Sequence, residues 1–303
     1  MDETHCKYVG SFGLVKTCNH RYPIIIPDWH ESNASWYQSV ESGSILHVCP
    51  QALPTFVSHV LPSIKNPFKL LTNNSDKTLP DDYQDECTIL LNHPLLIHWY
   101  SQNWISNEQK VTRIPIGLDY HSLMPAKKKH IWSPPEIHPW GIKKFPSEQE
   151  QFLNYLRSIS VPFWQRQIKA YANFHFLMTT RYGKIDRVDA YNTIPKELVS
   201  YQINHTNRDE CWSSMTKHAF VVSPHGNGLD CHRTWEALSL GCIPIVKTSG
   251  LDKLFDDLPV WIVQEWKDVS LENMKAKIEE FKNRTFNYEK LTLAYWKSKI
   301  INT

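Results

Sequence analysis

The sequence predicts an α/β protein of two domains meeting at a cleft, the second of them Rossmann-like. Three observations lead there. The chain has 303 residues, more than one ordinary domain holds and suited to two of about 150 each. Short apolar runs alternate with stretches of helical spacing, and β-α units repeated at this length imply a parallel sheet with right-handed crossovers and helices on both faces. One run, LGCIPIV (Leu240 to Val246), leaves a helix through Gly241 and becomes a strand that is apolar throughout, as a strand buried on both faces is.

In chain order, ILHV (Ile45 to Val48) and FKLL (Phe68 to Leu71) read as strands on either side of a helix-like stretch from Phe56 to Ile64, a β-α-β pattern. A helix is expected over Leu95 to Trp104, where Leu96, Trp99 and Tyr100 recur at helical spacing, followed by the strand VTRIPI (Val111 to Ile116), which ends at Gly117. The stretch from HSLMPAKKKH to KKFPSEQE is rich in Pro, Lys and His, lacks periodicity, and reads as a connection. Beyond it come FHFLM (Phe174 to Met178) as strand, Asp186 to Ile194 as helix, Ala219 to Val222 as strand, Cys231 to Leu240 as helix and Ile243 to Val246 as strand. Leu271, Met274, Ile278 and Phe281 mark a closing helical region. The expected division is a first domain over residues 1–122, an interdomain connection over 123–165, a second domain over 166–285 and a closing helix over 286–303.

Composition excludes several classes. With 41% apolar and 21% charged residues the chain is a folded protein, and a net charge of +2 gives no field that would draw nucleic acid or an anionic membrane. No apolar run is long enough for a membrane span, and the first residues, MDETHCKYVG, do not form a signal peptide. A soluble, cytoplasmic protein is expected, or a Golgi-lumen one if the sequence is a trimmed form. The seven cysteines include no CxxC pair, so reduced, mostly buried thiols are expected rather than a zinc or redox site. Four N-x-[ST] sequences, at Asn33, Asn73, Asn204 and Asn283, would matter only in a secretory compartment. The 12 Trp, 13 Tyr and 12 Phe exceed ordinary core needs and suit contact with sugar rings.

The segment that carries chemistry is SPHGNGLDCHRTWEALSLGCIPIV, Ser223 to Val246. A strand (Phe220, Val221, Val222) runs into the loop of Ser223, His225, Gly226, Asn227 and Gly228, whose glycines permit backbone conformations a Cβ would obstruct and let amides approach a ligand. A helix begins near Asp230, and its unpaired N–H groups and partial positive charge suit a diphosphate. Arg233 adds a planar fork for phosphate oxygens. Glu236, three residues on and on the same face, can accept from both ribose hydroxyls. The same residues would serve structure alone if Asp230 were only a cap and Arg233 and Glu236 a surface pair. The buried strand that follows weighs for the nucleotide, because it clamps the helix at the carboxyl edge of a sheet.

The order Gly226, Arg233, Glu236-Ala237, Gly241-Cys242-Ile243-Pro244 resembles the donor-binding signature of exostosin-like glycosyltransferases. The match is strong over about 25 residues, and LNHPLLIHWYSQN and IPIGLDYH follow the family's outline more loosely. The resemblance implies a GT-B architecture, two Rossmann-like domains facing across a cleft, with the N-terminal one binding the acceptor and the C-terminal one the nucleotide-sugar donor. It also implies inversion at the anomeric carbon and no metal cofactor. Independently, the chain has no Asp-x-Asp triplet, and Asp81-Asp82 and Asp256-Asp257 are adjacent pairs of the wrong form to hold a metal against a diphosphate. A second cation for the leaving group is expected at Arg187, with Arg181 as the alternative, and His225 as a further donor to the diphosphate.

Inverting transfer needs a base on the acceptor side. Asp76, in TNNSDK after the strand Phe68 to Leu71, and Asp119, in IGLDYH, both lie at the carboxyl edge expected of the first sheet. His93 or His98 is a third option. The function that follows is transfer of a sugar from a nucleoside diphosphate, UDP before GDP, to a glycan hydroxyl. The alternatives are a nucleotide-sugar-binding partner protein without catalysis and a nucleotide-sugar epimerase on the same architecture. A dehydrogenase is disfavoured, since no G-x-G-x-x-G follows a strand.

Overall fold

The structure, a computed structural model, describes residues 2–22, 30–125 and 136–302. It contains two parallel sheets, as the α/β alternation predicts. The first comprises β1 (Ser44–His47), β2 (Phe68–Thr72), β3 (Leu96–Ser101) and β4 (Val111–Arg113), paired in that order. Every residue of β1 and β2 is buried. Around this sheet lie the short helix α1 (Ser11–Val15), a helical run from Pro50 to Ser63 that mixes 3-10 turns, α2 (Leu53–Thr55) and the π-helical turn Phe56–Val60, and α3 (Gln84–Leu91).

An antiparallel pair, β5 (Ile137–His138) with β6 (Gly141–Ile142), and helix α4 (Pro146–Ile159) lead to the second sheet. Its strands are β7 (Gln167–Ala172), β8 (Val199–Tyr201), β9 (His218–Val222), β10 (Ile243–Lys247) and β11 (Trp261–Val263), interleaved with α5 (Gly183–Thr193), α6 (Arg208–Met215), α7 (His232–Ser239) and α8 (Leu271–Lys282), and followed by α9 (Leu293–Asn302). The spatial order is β8-β7-β9-β10-β11, all parallel. The order along the sheet therefore reverses between β7 and β9, and the crevice outside the carboxyl ends of those two strands is where such sheets bind ligands.

Several expectations are corrected. Leu95 to Trp104 is not a helix. It contains β3, whose last three residues, Trp99, Tyr100 and Ser101, are all buried between β2 and β4, so a strand covered on both faces reproduces the apolar spacing of a helix. FHFLM is not a strand. The strand is β7, whose first three residues are exposed and so lack an apolar signature, while FHFLM is a loop anchored by Phe174 and Phe176, rings 4.7 Å apart and the latter packed on Tyr191 and Tyr201. The expected strand Val111 to Ile116 stops at Arg113. The connection contains a helix, α4, which starts with Pro146 at its first position and whose Glu148 carboxylate accepts the Phe145 amide at 2.7 Å, signals that FPSEQE carried. The AKKKHIWSPP part of the connection lies outside the described residues. Strands β8 and β11, three residues each, carry no pattern that would have found them.

The chain crosses between the sheets twice. On α4, Glu150 accepts the amides of Lys7 and Tyr8, each at 2.9 Å, and the Tyr120 hydroxyl at 2.8 Å. Helix α9 packs back on the first sheet, where Lys69, buried within β2, donates to the carbonyls of Ile300 and Ile301 at 3.0 and 2.8 Å. Carbonyls in a last helical turn lack intrahelical partners and carry partial negative charge, which an ammonium satisfies.

Helix α7 ends as the sequence predicts, through Gly241 at φ +73°. The Cys242 amide bonds to the Ala237 carbonyl at 2.8 Å and the Gly241 amide to Leu238 at 3.0 Å, the paired bonds of a Schellman cap. A Cβ at Gly241 would sit in a left-handed backbone and 2.5 Å from an Arg157 nitrogen. Gly241→Ala is expected to destabilise the fold by about 1–2 kcal/mol, measured as a lower urea midpoint at unchanged m-value.

Candidate active site

A cavity of about 420 Å³ opens at the reversal point of the second sheet. The loop after β7 contributes Asn173 and Met178, the loop after β9 contributes Gly226, Asn227, Gly228, Asp230 and Cys231, and α7 contributes His232, Arg233 and Glu236. Arg187 reaches in from α5. The opposite wall belongs to the first domain, with Ser11, Asn74, Ser75, Asp76, Ile116, Asp119 and His121.

The glycine loop is shaped from behind by Asp186, a residue to which the sequence assigned no role. Its buried carboxylate accepts the His225 amide at 2.8 Å and the Trp266 indole N–H at 2.7 Å, and lies 3.1 Å from His225 Nδ1. Burial raises the pKa of Asp186, but these bonds from His225 and Trp266 outweigh it and hold the group ionised. His225 is thereby turned toward α5, and neither it nor Ser223 lines the cavity; the Ser223 hydroxyl is buried 2.8 Å from that of Thr234, tying β9 to α7.

Gly226 and Gly228 serve close approach rather than unusual backbone angles. Neither has a positive φ, which corrects that part of the sequence reading. A Cβ on Gly226 would meet the Arg187 guanidinium at 2.8 Å, and one on Gly228 would meet Asn103 at 2.9 Å and the Asp76 carboxylate at 3.2 Å.

Arg233 and Arg187 face the cavity together. Arg233 gives its Nε to Asn173 at 2.9 Å, with its guanidinium carbon 5.7 Å from the Phe174 ring centre. Arg187 gives its Nε to the His225 carbonyl at 3.1 Å. Among the described residues neither guanidinium makes an ion pair. Burial, and then the neighbouring charge of Arg187, push Arg233 down to about 10, so it stays a cation at neutral pH beside another cation. Two like charges held together without a carboxylate partner make a site for an anion. Arg181, the alternative second cation, lies elsewhere: it pairs with Asp82 at 2.8 Å and donates to the Asn227 carbonyl at 2.8 Å.

Asp230 lines the cavity, yet both oxygens are occupied. One accepts the Ile116 amide at 2.7 Å, from the first domain, and the other the Trp235 indole at 2.8 Å, while its own amide donates to Asn103 at 2.9 Å. It fastens the start of α7 to the first domain.

On the wall from the first domain, Asp76 and Asp119 both line the cavity, whereas His93 and His98 do not: His93 packs on Phe68, and His98 contacts the Thr112 hydroxyl at 2.9 Å. Asp119 is bound on several sides. Arg208 donates to its carboxylate at 2.5 Å and also to its carbonyl, and the Ser122 amide donates at 3.0 Å. Burial raises the pKa of this carboxyl, but the charges of Arg208, His232 and His121 overcome it and hold it well below the ordinary range. A carboxylate so held accepts protons poorly. His121 Nδ1 is 3.2 Å from Asp119, and burial pushes this imidazole down to about 4.

Asp119, His121 and His232 offer three ligand atoms within 4.8 Å of one another, the residue set of a two-histidine, one-carboxylate metal centre. Arg208 is already bonded to that carboxylate, and its charge competes with a divalent ion there. The sequence named neither histidine, nor Arg208, nor Asn173.

No family model matches the chain, so the exostosin-like resemblance stands on its motif alone, and no curated protein matches it either. Solved structures with a similar layout include an α1,3-fucosyltransferase (11% identity over 86% of this chain and 78% of that one, TM-score 0.42). An α,α-trehalose-phosphate synthase (UDP-forming) from Burkholderia vietnamiensis shows 9% identity over 85% and 70%, TM-score 0.42. Anabaena HepE in complex with UDP shows 11% over 85% and 73%, TM-score 0.39. At these identities and scores they are distant similarities only. Among the described residues, no helix is long and apolar enough to cross a membrane.

Proposed function

We propose that this chain is a glycosyltransferase of the exostosin-like, GT-B kind, moving a sugar from a nucleoside diphosphate, UDP before GDP, to a glycan hydroxyl with inversion and without a metal. The observation that carries this reading is the pair of guanidiniums, Arg187 and Arg233, that make no ion pair among the described residues, beside the first turn of α7 at the reversal point of a parallel sheet. A diphosphate there meets two planar forks and a helix N-terminus. Glu236, one turn along α7 and lining the same cavity, is placed to accept ribose hydroxyls. The wall formed by Asp76 and Asp119 leaves the acceptor to approach from the first domain.

Calorimetric titration with UDP and with GDP in EDTA tests it, on the native protein and on Glu236→Ala. Micromolar UDP binding that survives EDTA and weakens at least tenfold in the variant is expected. No binding of either nucleotide would remove the reading, and binding only with Mg²⁺ or Mn²⁺ would remove its metal independence.

A further inference from the structure

Resting on that reading, we infer that His232 is the group that accepts the acceptor's proton: its Nε2 takes the hydroxyl proton as the hydroxyl oxygen attacks the anomeric carbon. The new C–O bond forms as the bond from that carbon to the β-phosphate oxygen breaks. The electron pair leaves with the nucleoside diphosphate, and the proton stays on the imidazole.

The placement comes from the first turn of α7. His232 and Arg233 are successive residues, so their side chains leave the helix about 100° apart. Arg233 turns to Asn173 and the loop of the second domain, at 2.9 Å. His232 turns to the first domain, its Nδ1 2.7 Å from the Gly117 carbonyl. Both line the cavity. Inverting transfer needs the base and the leaving group on opposite faces of the sugar, and this turn puts an imidazole on one side and an anion-binding cation on the other.

The hydrogen bond also sets the tautomer. A carbonyl oxygen only accepts, so Nδ1 carries the proton, and Nε2 of the neutral ring keeps a lone pair. The charged and titratable groups around the ring are Asp119 and His121 on the opposite wall, Arg208 at the start of α6, and Asp230, Arg233 and Glu236 on its own loop and helix. Asp119, held as an anion by Arg208, stabilises the imidazolium that proton transfer would create.

The test compares His232→Asn and His232→Ala with Asp76→Asn and Asp119→Asn, reading UDP release from UDP-glucose, UDP-N-acetylglucosamine and UDP-xylose with water or a panel of glycosides as acceptor. Asn can still donate to the Gly117 carbonyl but cannot accept the proton. Both His232 variants are expected to bind UDP within about threefold of the native protein and to lose at least 100-fold in kcat. They should also lose the acidic limb of the pH–rate profile, and imidazole added to His232→Ala should restore part of the rate. Activity recovered in His232→Asn would make the residue structural, and retention of the acidic limb until Asp76 is replaced would transfer the role to Asp76. Nitrogen-15 NMR of the imidazole provides a readout without turnover: an Nε2–H tautomer overturns the inference. Failure of UDP to bind the native protein would instead overturn the donor reading.

Discussion

Arg233→Ala is expected to weaken UDP binding by about 2–4 kcal/mol, roughly 30- to 1,000-fold in Kd, because the phosphates lose a cation for which the site offers no replacement of the same geometry. Arg187 keeps part of the charge, so binding weakens rather than vanishing. Arg233→Lys should recover only a fraction, since an ammonium cannot present two parallel donors. The ligand-free protein should not lose stability in step. Arg187 and Arg233 repel one another, and removing one relieves that repulsion. Affinity unchanged in calorimetry at low and high salt would show that the diphosphate binds elsewhere.

The second large effect is structural. Asp230→Ala leaves the Ile116 amide and the Trp235 indole without their acceptor, and Trp235 is completely buried. Each such group costs about 1–3 kcal/mol, so a loss of about 2–5 kcal/mol is expected from urea unfolding. Burial raises the Asp230 carboxyl to about 6 against the donated bonds that lower it. A carboxyl whose pKa rises on folding binds more protons in the folded state. Its contribution is therefore complete below about pH 4 and fades as pH rises through about 6. Against Asp230→Asn, which does not titrate, the native protein should lose relative stability across that window. A difference between the two that stays flat from pH 4 to 7 would show the carboxyl is not so perturbed.

Much of this site could be read in the chain because it occupies one continuous segment. Strand β9, the glycine loop, α7, its Gly241 cap and β10 follow one another from residue 218 to 247, and each leaves a local mark: an apolar run, a loop, a helical face, a glycine. Arg233 and Glu236 could be placed by counting along one helix. What escaped needed partners from afar. Arg208 reaches Asp119 across 89 positions and Asp230 reaches Ile116 across 114, and no period in the sequence reports such a contact. His232 stood inside the segment, but its orientation depends on Gly117 in the other domain. Ser223 and His225 share the glycine loop with residues that line the cavity, but Thr234 and Asp186 turn these two side chains inward. In the fold, β3 and β7 escape the sequence for opposite reasons, one because its buried end reproduces helical spacing and the other because its first three residues are exposed.

The return of α9 to the first sheet bears on modularity. Leu293, Trp296 and Ile300 share a core with Tyr8, Val9, Leu14 and Tyr100, and the backbone of Lys7 and Val9 bonds to that of Leu293 and Leu291. A chimera that exchanged only the first 122 residues with another protein would transplant a sheet without the helix that completes it and leave a foreign helix against the graft. The unit that recombines intact is a discontinuous one, the N-terminal sheet together with the last helix, and whatever that sheet carries would have to move with both pieces at once.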